Sequence, residues 1–167
     1  MAVVGSEIVA ALKQAKIEFI AALPDIVTSN GLLWPIARSA DFRLIRLCKE
    51  DEGVSICAAL AVTGHRAALM MQHTGMLDSL NSIRGIACDM EQPVCMIIGL
   101  LAKEPNVPPT QSPVFGVRIV EPILDAMGIA HFCIEGPAEI AQLPAAIERA
   151  YATSRPMAAL IGQTVTR

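Results

Sequence analysis

Short apolar runs alternate along the chain with longer segments of helical periodicity, and this alternation restricts the fold more than any other feature. Runs with the length and composition of strands lie at 18–23, 42–47, 67–71, 94–100, 130–134 and 157–161. Segments at 7–15, 30–39, 51–63, 77–90, 117–127 and 137–153 are predicted as helices, with Ser6 capping the first and Gly64 ending the third. The pattern predicts an α/β domain, a three-layer sandwich whose six-stranded, mostly parallel sheet carries helices on both faces.

The apolar content of the chain is high, because hydrophobic residues make up 53% and charged residues 17%. No stretch reaches the roughly 18 apolar residues of a membrane span, and no signal peptide is recognisable, so we expect one cytoplasmic domain over 1–167 with no membrane contact. A buried parallel sheet and a large subunit interface would use the apolar surplus. The net charge of −3 gives no basic excess for binding nucleic acid.

The five cysteines are odd in number, lack CxxC spacing and have apolar neighbours. We expect them to be reduced and buried, and no zinc site is indicated. They are Cys48, Cys57, Cys88, Cys95 and Cys133.

Polar residues follow three of the predicted strands, and the carboxyl ends of parallel strands share one edge of a sheet. Leu23-Pro24-Asp25 follows the first strand, Lys49 to Val54 the second and Gln72 to Gly75 the third. Each segment also has a simple structural interpretation: a capping aspartate, carboxylates at a helix N-terminus, and a turn with a hydrogen-bonded histidine. A loop with four prolines at 103–116 lies at the same edge. We therefore expect the functional site there.

Several common motifs are absent from the sequence. It contains no GxGxxG after the first strand, no GxxxxGK[ST] and no GxSxG. A standard dinucleotide site, a P-loop and a serine-hydrolase nucleophile elbow are therefore not predicted.

The three polar segments together resemble the pyrimidine-binding domain of thiamine-diphosphate decarboxylases. The likeness is carried by Leu23-Pro24-Asp25, by the block Lys49 to Val54 that opens a helix, and by the run Ala68 to Gly75. It is most apparent for sulfopyruvate decarboxylase α subunits and the N-terminal part of phosphonopyruvate decarboxylases, and it extends over nearly the whole chain. The resemblance implies the thiamine-diphosphate-binding fold and a subunit that releases CO₂ and an aldehyde from a 2-oxo acid.

The resemblance also implies roles for individual residues. Glu52 matches the catalytic glutamate that hydrogen-bonds the cofactor's aminopyrimidine, and we expect Glu50 and Asp51 to matter less. The run Gln72 to Gly75 matches the segment beside that ring, where the family usually has Gln-Asn-Ser-Gly, so His73 and Thr74 are departures from the pattern. Asp25 and His73 are candidates for handling protons after CO₂ is lost, and Asp25 and Gln111 are candidates for contacting substrate.

Two departures from the family pattern bear on substrate and partner. The chain lacks the GDG motif that holds magnesium diphosphate, so we expect Mg²⁺ ligands on a partner β subunit, in an α₂β₂ or larger assembly. It has Leu101 and Ala102 where the family has an arginine, which disfavours a sulfonate or phosphonate substrate, although Lys103 lies close by. Two alternatives stay open: a subunit of a carboligating thiamine-diphosphate lyase, and a non-catalytic α/β binding or regulatory subunit.

Overall fold

A six-stranded sheet with every neighbouring pair parallel forms the centre of the structure, a computed structural model that describes residues 2–166. The order across the sheet is β2-β1-β3-β4-β6-β5. The predicted α/β class and the six strands are confirmed. The strands are β1 (Phe19–Ala22), β2 (Arg43–Arg46), β3 (Ala67–Gln72), β4 (Cys95–Gly99), β5 (Ala130–Ile134) and β6 (Met157–Ile161).

The central strands are buried on both faces, as expected of a parallel sheet covered by helices. Every residue of β4 and β6 is buried, and so is every residue of β3 except Gln72, which is half-buried. The edge strand β2 differs, because Arg43 and Arg46 at its two ends are exposed. Charged side chains on an edge strand discourage pairing with another sheet.

Helices cover both faces of the sheet and form two separate hydrophobic clusters. The helices are α1 (Gly5–Gln14), α2 (Trp34–Arg38), α3 (Glu50–Val62), α4 (His73–Asp78), α5 (Leu80–Ser82), α6 (Phe115–Arg118), α7 (Val120–Ala126), α8 (Pro137–Ile140) and α9 (Leu143–Thr153). One face of the sheet is covered by α1, α2, α8 and α9, and the other by α3, α4 and α7. A π-helical turn at Ser29–Leu33 precedes α2, a second π-helical turn at Ile83–Asp89 follows α5, and a 3₁₀ turn at Pro109–Gln111 lies in the proline-rich loop.

Four predicted helices are divided in the structure, and the first of them, at 30–39, is a π-helical turn followed by α2. The helix predicted at 77–90 begins at His73, directly after β3, and is divided into α4, α5 and a π-helical turn. The segment 117–127 is divided into α6 and α7. The segment 137–153 is divided into α8 and α9, and Pro144 lies in the first turn of α9. Proline lacks an amide hydrogen and restricts the residue before it, so it favours a new helix start.

Two smaller expectations are wrong. Ser6 does not cap α1, because α1 begins at Gly5, whose amide donates to the Thr166 carbonyl over 2.8 Å. Cys48 is exposed in the turn between the edge strand β2 and α3, and Cys88 and Cys133 are half-buried, whereas Cys57 and Cys95 are buried as expected. Gly64 does follow the end of α3 in the left-handed conformation, with φ of +84°.

No helix within residues 2–166 is both long and apolar enough to cross a membrane.

Candidate functional site

The carboxyl ends of β1, β3 and β4 lie side by side and bring together polar residues that are distant in sequence. β1 pairs with β3, and β3 pairs with β4. The β2–α3 turn lies next to this group, because β2 pairs with β1. Parallel α/β sheets bind ligands at this edge. The predicted site residues Asp25, Gln72 and His73 are thus at one edge of the sheet.

Asp25 closes the turn after β1 with its carboxylate. Its Oδ1 accepts the amide hydrogens of Val27 at 2.6 Å and Thr28 at 2.8 Å. Its other carboxylate oxygen accepts the hydroxyl hydrogen of Thr28. Gly99, the last residue of β4, leaves room for this side chain, because a Cβ there would lie 3.0 Å from Asp25 Oδ1. Both carboxylate oxygens therefore stabilise the turn.

Glu52 lies on the exposed side of the first turn of α3. Its Oε2 accepts the amide hydrogens of Cys48 at 3.0 Å and Lys49 at 3.4 Å. A glutamate at the third position of a helix that reaches back to the preceding amides is half of a capping box. The carboxylate that the sequence resemblance places beside the cofactor therefore accepts hydrogen bonds from the backbone amides just before its own helix.

Glu50, the first residue of α3, faces the segment after β3. A Cβ on Gly75 would lie 2.3 Å from Glu50 Oε1, so the half-buried carboxylate occupies the space that glycine leaves open. Glu50 was predicted to matter less than Glu52. No signal in the sequence separates the two glutamates, because Lys49 at the cap position is not one of the residues that mark a capping box.

His73 is 4% exposed and lies between the end of β4 and the start of α6. Its Nδ1 accepts the amide hydrogen of Leu101 at 3.3 Å, so a neutral ring carries its proton on Nε2. A Cβ on Gly116 would lie 3.0 Å from that Nε2. Burial lowers the pKa of His73 below its ordinary value, and a backbone hydrogen bond at Gly99 partly opposes this. Burial therefore favours the neutral form of the imidazole.

The remaining predicted residues differ in exposure. Gln72 is half-buried and its Nε2 donates to the Thr74 hydroxyl at 2.8 Å, whereas Thr74 and Gln111 are exposed. Gln111 lies in the 3₁₀ turn of the proline-rich loop. Among residues 2–166, no cluster of three or more His, Cys, Asp or Glu side chains could hold a metal ion.

Lys103 lies close in sequence to the position where the family has an arginine, but its side chain is not exposed to solvent. Its side chain is 0% exposed and forms an ion pair with Glu135, the residue after β5. Its charge is therefore compensated within this chain.

The fold and this edge define an α/β domain that gathers carboxylates, a buried imidazole and side-chain amides at the carboxyl ends of its parallel strands. No protein-family model matches the chain. Sulfopyruvate decarboxylase subunit alpha of Methanocaldococcus jannaschii is 30% identical over 80% of this chain and 77% of its own length. Sulfopyruvate decarboxylase of Methanosarcina acetivorans is 27% identical over 95% of this chain, which spans 40% of that protein. Sulfopyruvate decarboxylase subunit alpha of Methanococcus maripaludis is 25% identical over 53% of this chain and 52% of its own length.

The chain belongs to the family of sulfopyruvate decarboxylase α subunits. The resemblance inferred from the three polar segments is thereby confirmed.

Proposed function

We propose that this chain is the pyrimidine-binding α subunit of a thiamine-diphosphate-dependent decarboxylase that releases CO₂ and an aldehyde from a 2-oxo acid. The observation that carries the proposal is the half-buried Glu50 carboxylate against Gly75, at the same sheet edge as the neutral imidazole of His73. The names of the relatives support decarboxylation as the reaction class.

The side chains at this edge suit the aminopyrimidine ring of the cofactor. Gln72 supplies an amide and Thr74 a hydroxyl, and the neighbouring Glu50 carboxylate can hold a proton at a ring nitrogen. When bound, thiamine diphosphate supplies an electron sink for the pair left when CO₂ departs. This chain's residues would orient the ring and hold that proton.

Of the two glutamates, the geometry favours Glu50 for this role. The Glu52 carboxylate already accepts two amide hydrogens at the start of α3. The Glu50 carboxylate instead lies on the segment that the family uses beside the ring. We therefore propose Glu50 as the proton-holding carboxylate and Glu52 as the residue that fixes the direction of α3.

Asp25 and His73 differ in what they can contribute to proton handling. Both oxygens of Asp25 already accept hydrogen bonds in its own turn, so we propose that Asp25 shapes the substrate side of the site. His73 holds the Leu101 amide at Nδ1 and carries a proton on Nε2. We propose that His73 is the hydrogen-bond donor for the reacting group, acting as a neutral ring.

We propose a β subunit with a GDG motif as the partner that binds Mg²⁺ and the diphosphate. Ile26 is 70% exposed and Phe115 is 65% exposed, and they lie in the loop after β1 and at the start of α6, around the site. Large exposed apolar side chains at a polar edge suit a surface that another subunit covers. An α₂β₂ unit is the smallest assembly with two such sites.

Reconstitution tests the proposal. The chain, the GDG-containing subunit and their mixture are assayed for CO₂ and aldehyde release from 2-oxo acids, with and without thiamine diphosphate and Mg²⁺. We expect turnover only in the mixture and only with both cofactors. Turnover by the mixture without thiamine diphosphate would refute the cofactor assignment. Release of CO₂ without free aldehyde would favour carboligation, and binding of the cofactor with no release of CO₂ would favour a regulatory role.

A further inference from the structure

The proline-rich loop between β4 and α6 is tied to the end of β5 by a buried lysine. The Lys103 side chain is 0% exposed, and its ammonium is ion-paired with Glu135, which is 32% exposed. The same ammonium donates a hydrogen bond to the Glu104 carbonyl at 3.0 Å. The first residues of the loop are therefore held by a charged group that is removed from water.

A second set of polar contacts closes the loop on itself. The Ser112 hydroxyl donates to Glu104 Oε2 at 3.0 Å, and Ser112 is 0% exposed. The Ser112 carbonyl accepts a hydrogen bond from Arg118 Nη1 at 2.9 Å. Glu104 is thus held by Lys103 through its carbonyl and by Ser112 through its carboxylate, which connects the two ends of the loop.

The loop starts and finishes against the same imidazole. Leu101, before the loop, donates its amide hydrogen to His73 Nδ1 at 3.3 Å. Gly116, after the loop, lies against His73 Nε2. Gln111 immediately precedes the buried Ser112, so a displacement of Ser112 displaces Gln111 relative to His73.

The ionic character of the anchor points to a positioning role. Burying the Lys103 ammonium carries a large desolvation cost, and an apolar pair of similar volume often stabilises a fold equally well. An apolar pair, however, cannot donate a hydrogen bond to the Glu104 carbonyl. A methionine at position 103 would therefore fill the same volume but lose the hydrogen bond to the Glu104 carbonyl.

We propose that Lys103 and Glu135 are positioning residues that, through Glu104 and Ser112, hold Gln111 on the substrate side of His73. The proposal rests on the proposed function and on Gln111 being the substrate contact that the family resemblance implies. It also removes Lys103 from the groups that can bind an anionic substrate tail.

The test is the double variant Lys103→Met/Glu135→Leu in the reconstituted complex. We expect its Tm to stay within a few degrees of wild type, because no unpaired buried charge remains. We expect KM to rise at least tenfold with kcat changed by less than about threefold. The exposed pair Lys13–Asp41 provides the control, and Lys13→Met/Asp41→Asn should change neither constant.

Coupling to Gln111 distinguishes positioning from general stability. Gln111→Ala alone should raise KM by a similar factor, and adding it to the double variant should raise KM little further, because both changes remove one interaction. Ser112→Ala should reproduce part of the effect. The proposal would be overturned if the double variant had the wild-type KM. It would also be overturned if the combined variant raised KM by the product of the two separate factors.

Hydrogen exchange gives a readout that does not depend on activity. The amides of Gln111 and Ser112 donate to Pro108 and Pro109 carbonyls at 2.9 and 3.1 Å. In the double variant we expect these two amides to exchange at least tenfold faster, and unchanged exchange would overturn the proposal. If the wild-type complex shows no turnover, the proposed function fails, whereas the exchange measurement still tests the anchor.

Discussion

Gly75→Ala tests whether the Glu50 carboxylate must lie where the structure places it. An added Cβ would lie 2.3 Å from Glu50 Oε1 and 2.4 Å from its Cδ and Cγ. Ordinary van der Waals contact begins near 3.4 Å, so the carboxylate has to move by about 1 Å. Glu50 is a flexible, half-buried side chain and can make this movement without disturbing the backbone.

The expected effect is large on activity and small on stability. A misplacement of about 1 Å in a reacting group can cost roughly 100-fold in rate, which corresponds to about 2.7 kcal/mol. Alanine favours helix over glycine by up to about 1 kcal/mol, which offsets the strain in α4. We therefore expect kcat/KM to fall roughly 100-fold while Tm changes by only a few degrees.

The assay is CO₂ release by the reconstituted complex, with thermal unfolding of each variant. Gly85→Ala is the matched control, because Gly85 also lies in a helical segment and an added Cβ there meets nothing within 4 Å. Gly75→Ala activity within threefold of wild type would refute the reasoning. A large fall in Tm would show that Gly75 is required for packing instead.

Four further outcomes follow from the same geometry. Glu50→Gln should lower kcat/KM at least 100-fold and Glu52→Gln less than tenfold; the reverse order, in steady-state assays, would restore the sequence-based assignment to Glu52. His73 has a lowered pKa because it is buried, so the unfolded chain binds its proton first as the pH falls. The His73 contribution to the free energy of unfolding is therefore fully present above about pH 6.5, and it is lost as the pH falls through the lower pKa of His73 in the folded chain. Urea titrations should show that His73→Gln loses less free energy of unfolding in acid than the wild type does, and an equal loss would contradict this account. Sulfopyruvate should not exceed 2-oxobutyrate by more than about tenfold in kcat/KM, because Lys103 is already paired with Glu135; a larger preference would show that another cation binds the tail. Calorimetry should show weak thiamine diphosphate binding to the isolated chain, and tight magnesium-dependent binding would argue against a shared site.

Local sequence patterns were sufficient to predict the sheet. The strands at 130–134 and 157–161 are predicted to the residue. Met157–Ile161 is an apolar run between Pro156 and Gly162, and Ala130–Ile134 lies between the turn at Gly128 and the charged Glu135. Helix limits were less predictable where a helix follows a strand without a turn. His73, Thr74 and Gly75 have turn-like composition, yet they begin α4, and Gly75 is needed for the close approach of Glu50.

The sequence by itself determined the class of the fold, the family and the sheet edge where the predicted site residues gather. These depend on apolar periodicity and on motifs within short segments, and both are local properties of the chain. Only the tertiary structure separated Glu50 from Glu52: residues two apart in a helix of 3.6 residues per turn point about 200° apart, and the packing of α3 against α4 decides which one faces Gly75. The pairing of Lys103 with Glu135 also depends on the tertiary fold, because the sheet order places the ends of β4 and β5 on either side of β6.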